Sequence, residues 1–375
     1  MSARLRKRPR MLVHAERVKQ VAAEHVIDGE ADRCLSPAVA DALASAGFGQ
    51  HFAPSNEYAG DTRFKDMLLA QLMIAEVCIS SAWCAANVAT SGRMVGYFPE
   101  ECQQEIWSSR ENTMIANVLA PTGKAVRRNN DWLLSGRWRF ASGVDFCAWS
   151  IVCAAVDGSD RSDFRFFLVP QEHYTVVDDW FNMGMRATGS KTITIDNVMV
   201  PGRRSFARRD LMDGRKDDPQ DPSHCMPFLA YGPLLLAAPI VGAAKGALRW
   251  WVDWTREKAD AGVRFRDKEL NQLALAQSSA EIDAAELVLE RVAAASDQGE
   301  LSDYDAVRNA RDLSFAAHLT VGAVDRLFRA SGSQVQHETN PMQRVWRDVT
   351  SAVSHVGLRL TTSAGSYAKQ VWSSS

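Results

Sequence analysis

Residues 344–358, RVWRDVTSAVSHVGL, place a single histidine in an otherwise apolar, periodic run. Val345, Val349, Ala352 and Val356 recur at helical steps and predict a buried stripe. Asp348, Ser351, His355 and Thr362 fall at i, i+3, i+7 and i+14, so one helix would carry them together on a polar strip. Histidine's ordinary pKa lies nearest physiological pH, and a ring facing a pocket can donate or accept a proton at little cost. A core or interface histidine bonded to a neighbour also fits, and on spacing alone that plainer role is favoured.

Two short stretches add hydroxyls and glycines. Residues 140–143, FASG, end a strand-like run in small polar residues, and residues 185–191, MRATGSK, precede another. Both can offer backbone N–H groups and hydroxyls to an anionic or heteroaromatic ligand, although each alone is more often a plain turn. Trp83 and Trp107, and then Trp132, Trp138, Trp149 and Trp180, suit a pocket for a flat ring and equally suit a core.

Three regions must position these groups. From about residue 13 to 111 the pattern is helical, with alanine-rich runs at 37–46 and 67–88. Ser36 before Pro37 reads as a helix cap, residues 58–61 as a turn, and Pro99 as the start of another helix. From about 114 to 206 the period becomes two. Trp132, Leu134, Trp138 and Phe140 alternate with polar residues after an Asn129-Asn130-Asp131 turn, and 151–156, 164–169, 174–177 and 192–200 continue the series. Short strands without intervening helices predict an antiparallel sheet or barrel. After a charged connector at 203–223, runs at 237–252, 270–295, 304–330 and 345–369 predict four long helices.

The formal net charge of −2 gives no electrostatic case for nucleic acid. The basic N-terminus lacks a following apolar segment, and the longest apolar run, 233–244, is too short to cross a bilayer, so a cytoplasmic protein without membrane partners is expected. The seven cysteines show no C-x-x-C spacing and the histidines no H-x-x-x-H, so reduced thiols and no metal are expected. There is no G-x-G-x-x-G, G-x-x-x-x-G-K-[ST] or G-x-S-x-G motif.

The order helices, β unit, bundle resembles the acyl-CoA dehydrogenase superfamily. The motifs that carry the resemblance are LSGRWRFASG (134–143), MGMRATGSKTITIDNVMVP (183–201), AAPIVGAAKGAL (237–248) and RASGSQVQHETNPMQRVWRDV (329–349), spread over a likeness that spans roughly 13–369. It implies a mainly α chain with a middle β domain: an N-terminal helical domain (1–113), a central antiparallel β barrel or sheet (114–215) and a C-terminal four-helix bundle (216–375).

Dehydrogenases of this superfamily that take their base from this segment carry tyrosine-glutamate-glycine where this chain has His355-Val356-Gly357, and valine cannot abstract a proton. The histidine-containing ending instead resembles the two-component flavin monooxygenases, such as the oxygenase components of p-hydroxyphenylacetate 3-hydroxylase, dibenzothiophene monooxygenase and indole-oxidising relatives. That resemblance implies reduced FMN or FAD supplied by a separate NAD(P)H:flavin reductase. It also implies reaction with O2 through a C4a-(hydro)peroxyflavin, transfer of one oxygen atom to an aromatic or heteroaromatic small molecule, indolic or phenolic, and a homotetramer. A dehydrogenase-like FAD oxidoreductase with a displaced base, or a non-catalytic flavin-fold binding protein, is the alternative.

Carried over by motif, Ser142 matches the hydroxyl at the flavin N5 side and His355 the active-site histidine, the two catalytic candidates. Phe140 lies against the ring, Thr188 and Ser190 fall on the phosphate side, and Ser331, Gly332 and Gln334 match a segment that helps hold the cofactor across a subunit interface. Trp83, Ser91, Asn117, His224, Cys225 and His355 would face the substrate. Ser91 and Asn117 stand where phenol hydroxylases carry a phenolate-binding histidine and a serine. Cys225 stands where they carry an arginine near the flavin, a loss that Arg186 or His224 would have to make good.

Overall fold

The computed structural model describes residues 10–53, 63–109, 113–158, 163–215, 222–260, 263–299 and 301–373. The N-terminal helices are α1 (Arg10–Glu24), α2 (Val26–Asp32), α3 (Pro37–Ser45), α4 (Phe64–Ala75), α5 (Ile79–Val95) and α6 (Glu100–Ser109). Ser36 caps α3 as expected, its hydroxyl accepting from the Val39 N–H at 3.3 Å, and the expected turn at 58–61 lies outside the described residues. The single run expected over 67–88 is two helices. The chain turns at Glu76–Cys78, where Glu76 is bound by Lys19 at 2.6 Å and Arg249 at 3.0 Å. Apolar residues continue on both sides of that turn, so periodicity alone does not mark it. Every residue of α5 is buried except the partly exposed Asn87.

The middle region is a seven-stranded sheet built from β1 (Ile115–Arg128), β2 (Asp131–Ala141), β3 (Trp149–Val156), β4 (Phe164–Pro170), β5 (Thr175–Val177), β6 (Lys191–Val200) and β7 (Ser205–Ala207), in the order β5-β6-β2-β1-β3-β4-β7. Its pairs are antiparallel except β1 with β3, which run parallel, so the sheet is mixed. The expected connector at 203–223 contains β7 and the short helix α7 (Arg208–Asp213). In β2 the register with β6 shifts between Trp138 and Ala141, and Phe140 in that bulge adopts φ +71°.

The bundle comprises α8 (Phe228–Glu257), α9 (Glu269–Gln298), α10 (Asp303–Ala330), α11 (Pro341–Ala352) and α12 (Leu360–Ser373). α8 is longer than expected and is long and apolar enough to cross a membrane, but 78% of its most apolar stretch is buried in the fold, the placing of a core helix. A Cβ on Gly246 would lie 2.0 Å from the Glu76 carbonyl, so α8 approaches the end of α4 backbone to backbone. The fourth expected helix is broken. α11 ends at Ala352, and His355 starts a short 3-10 turn, Val356–Leu358, before α12. The polar strip therefore divides: Asp348 and Ser351 stay on α11, His355 stands at the break, and Thr362 lies on α12.

Candidate active site

The two hydroxyl-bearing stretches meet. Thr188 Oγ1 donates to the Met185 carbonyl at 2.8 Å, Thr188 and Ser190 hydroxyls lie 2.6 Å apart, and Ser190 and Ser142 hydroxyls 2.8 Å apart. All three side chains are buried. A hydroxyl has one proton to give, so the first bond sets the direction of the others. Thr188 gives to Met185, Ser190 to Thr188 and Ser142 to Ser190. Ser142 Oγ, with its proton directed inward, is left as an acceptor at the open end of the chain. The backbone reinforces the contact, because the Gly143 N–H donates to the Thr188 carbonyl at 2.8 Å.

Beside Ser142, the left-handed backbone of Phe140 holds its ring 55% exposed, edge-on to Trp180 at 6.1 Å. A non-glycine residue at positive φ costs of order 1 kcal/mol, and here it turns an aromatic ring outward from a strand. Trp180 Nε1 donates to the Met185 and Arg186 carbonyls, both at 3.1 Å.

His355 approaches the same region through α5. Its ring meets Trp83 edge-on with centroids 5.6 Å apart, and the neighbouring Cys84 Sγ points at the Thr188 carbonyl, 3.7 Å away. His355 Nδ1 accepts the Gly357 N–H at 3.1 Å. The ring keeps open surface in the isolated chain yet has protein around most of it, as a side chain lining a cleft does. Burial, and secondarily the Arg359 guanidinium, push its pKa down to about 4, so the ring is neutral at pH 7. A neutral imidazole that accepts at Nδ1 carries its proton on Nε2. The free nitrogen is thus a donor.

Along α5, Trp83, Asn87 and Ser91 follow at helical spacing. Asn117 Nδ2 donates to the Ser91 hydroxyl at 2.9 Å and to the Asn87 carbonyl at 3.0 Å, while Ser91 donates to the Asn87 carbonyl at 3.1 Å. Where the resemblance places a phenolate-binding histidine in phenol hydroxylases, this chain has a neutral hydroxyl–amide pair bonded to itself.

The other expected residues stand apart. His224 is buried with Nε2 against the Arg93 carbonyl at 3.2 Å, roughly 15 Å along α5 from Trp83 at the rise of a helix. Cys225 donates to the Arg215 carbonyl at 3.0 Å, and Arg186 donates to the Glu30 carbonyl at 3.0 Å. Ser331 donates to the Leu327 carbonyl at 2.7 Å and accepts Trp251 Nε1 at 3.0 Å, with Gly332 and Gln334 exposed beyond it.

Sequence reasoning missed two residues. Asn87, the one residue of α5 not fully buried, was marked by its position midway between Trp83 and Ser91. Asp348, the acid of the first polar strip, turns out to be buried and to accept the Met185 N–H at 2.6 Å, tying the hydroxyl loop to α11.

The residues present fit the flavin that the resemblance implies. Phe140 would supply an aromatic platform at the surface, Ser142 beside it an acceptor for a ring N–H, and the His355–Trp83 pair a polar donor against an apolar wall.

The acyl-CoA dehydrogenase, C-terminal domain family matches residues 234–360. The chain is 31% identical over 317 residues to the FADH(2)-dependent resorcinol hydroxylase, oxygenase component, of Rhizobium sp. (strain MTP-10005), a match covering 79% of this chain and 77% of that one. It is 30% identical over 294 residues to the flavin-dependent monooxygenase, oxygenase subunit HsaA, of Mycobacterium tuberculosis, covering 75% of each. XiaF from Streptomyces sp., solved in complex with FADH2 and glycerol, superposes with a TM-score of 0.89 at 26% identity, over 97% of this chain and 95% of that one.

Proposed function

The chain belongs to the oxygenase components of the flavin-dependent monooxygenases with an acyl-CoA dehydrogenase fold, and we propose that it uses reduced FAD or FMN and O2 to insert one oxygen atom into an aromatic or heteroaromatic small molecule. The observation that carries this reading is the directed chain Ser142–Ser190–Thr188 ending on Met185, reached on α5 by the residue next to the Trp83 that meets His355.

When bound, the reduced flavin supplies the electrons that activate O2. Phe140 would offer its exposed ring to the flavin, and Ser142 Oγ an acceptor for an N–H of it. Thr188 and Ser190 hold Ser142 in place, while Gly332 and Gln334, exposed at the end of the bundle, hold the cofactor from a neighbouring subunit. Trp83 would wall the substrate site, and His355 would offer its Nε2–H as a hydrogen-bond donor to an oxygen there. Asn87, Ser91 and Asn117 make an uncharged polar edge, which favours a neutral phenol or an indolic ring over a tightly held phenolate. His224 acts at a distance from that edge, as packing that shapes the end of α5, and Cys225 holds the Arg215 backbone beside it.

A separate NAD(P)H:flavin reductase supplies the reduced cofactor, consistent with the oxygenase-component relatives. The assembly is a homotetramer in the cytoplasm. Support for an assembly comes from the large apolar side chains that the bundle helices leave exposed in one chain, Leu270, Leu273 and Leu287 of α9, Phe315 of α10 and Trp372 of α12. The test is mass spectrometry of products from phenols, indoles and thiophenes incubated with a generic flavin reductase, NADH and O2. Oxygenated product from at least one class is expected, and none from any would overturn the reading.

A further inference from the structure

We propose that Asp348 is a positioning residue, which through Met185 fixes where the Ser142 hydroxyl stands relative to His355. Met185 is held at both backbone groups. Its N–H is taken by Asp348 at 2.6 Å, and its carbonyl accepts Thr188 Oγ1 at 2.8 Å and Trp180 Nε1 at 3.1 Å. Met185 has φ +56°, a conformation that needs such support in a residue with a side chain. The loop has little room to move elsewhere. A Cβ on Gly184 would lie 2.3 Å from the Arg347 carbonyl, and the Arg347 guanidinium donates to the Met183 carbonyl and pairs with Glu30 at 2.8 Å. One turn beyond Asp348, α11 ends at Ala352, whose carbonyl accepts the His355 N–H at 3.1 Å. A continuous path of hydrogen bonds and one helical turn therefore joins Ser142 to His355; Asp348 is the side chain that brings α11 onto Met185 itself, while Arg347 holds the same loop two residues earlier, at Met183.

The carboxyl faces Glu30 from α2, Cys78 from the turn after α4, and Arg344 and Arg347 on its own helix, with Arg186 reaching Glu30 at 3.6 Å. Burial is the largest influence on it and raises its pKa to about 7. An ionised carboxylate holds an N–H more strongly than a neutral one. With the carboxyl still buried, ionisation should strengthen its bond to the Met185 N–H as pH rises through 7, even though the fold as a whole loses stability, and the fraction of reducing equivalents that ends in product rather than peroxide should rise with that bond.

The inference rests on the oxygenase reading for that activity readout alone. The decisive experiment combines hydrogen exchange of residues 183–191 in the flavin-free chain with coupling measured from pH 6 to pH 8, for wild type, Asp348→Asn and Asp348→Ala. Asp348→Ala should speed exchange at Met185 roughly tenfold or more and lower coupling several-fold, while Asp348→Asn, which can still accept the N–H, should stay within about threefold of wild type in exchange. The pH step in coupling should be present in wild type and missing in Asp348→Asn. Wild-type exchange and coupling in Asp348→Ala would overturn the proposal. If that variant does not fold, Asp348→Asn decides, and an unchanged pH step in it would overturn the proposal. A wild-type enzyme that oxygenates nothing would remove the oxygenase reading and leave the exchange comparison to judge Asp348.

Discussion

His355 Nδ1 accepts the backbone N–H of Gly357 at 3.1 Å, and this bond decides which proton chemistry the ring can do. The neutral ring must carry its proton on Nε2, so the nitrogen that His355 leaves open offers a proton and does not take one. The same bond caps the 3-10 turn that follows α11, because it satisfies an N–H at the start of that turn. Val356, in the place of a dehydrogenase glutamate, is 62% exposed and chemically inert.

His355→Ala should uncouple the reaction, with product formation falling roughly tenfold to a hundredfold while cofactor oxidation persists as peroxide. His355→Asn, which keeps an N–H donor, should retain more product than the alanine variant. Product and peroxide measured together check this, and unchanged coupling in both variants would remove the assigned role.

The pH dependence follows from the direction in which burial moves the ring. With the folded ring held near 4 against an ordinary value of 6.5, His355 stays neutral down to mildly acidic pH. Between those values the unfolded chain binds the extra proton, so this group's contribution to stability declines as pH falls through that window. Coupling should show no inflection near 6.5 from His355. An inflection there that disappears in His355→Asn would contradict the structure.

Asp348 has the opposite sign. Its folded pKa is raised from 3.8 to about 7, so between those values the native state holds the extra proton and stability is lost as pH rises. The loss is at most about 4–5 kcal/mol, since each tenfold change in proton affinity is worth about 1.4 kcal/mol. Denaturation midpoints of Asp348→Asn should therefore gain on wild type between pH 5 and pH 8. A constant difference would show that the carboxyl is not strained by burial.

Ser142→Val should raise peroxide release roughly tenfold or more, the scale of losing one catalytic hydrogen bond, with the fold intact. Stopped-flow mixing of reduced flavin and enzyme with O2 measures it. Peroxide released at the wild-type rate would leave Ser142 as no more than a strand end.

Gly184→Ala should cost about 1–3 kcal/mol and weaken flavin binding, because the new methyl meets the Arg347 backbone and pushes the loop from α11. Thermal unfolding and flavin fluorescence titration read both effects. A variant of wild-type stability would mean that the loop has slack.

Much of this site was legible as residue types and little of it as contacts. The FASG and MRATGSK stretches were visible as hydroxyl-bearing ends of strand runs, yet their meeting depends on a bond between residues 142 and 190, which no local period records. The strands appeared as alternation, but the parallel β1–β3 pair is a choice of partner made by the whole sheet. The breaks after α4 and α11 were hidden because apolar residues continue through both, and the turn after the second is capped by one side chain bonding to backbone two residues on. His355 stood out as chemistry, whereas Asp348 beside it gave no sign that it would be buried against Met185.

The most direct test supplies the enzyme with chemically reduced flavin and isotopically labelled O2, without reductase, in the presence of each aromatic substrate class. An oxygenase should yield a product carrying one labelled oxygen atom, with peroxide making up the balance of the flavin oxidised. Flavin oxidised wholly to peroxide with every class, together with anaerobic bleaching of bound FAD by an acyl thioester, would contradict that assignment.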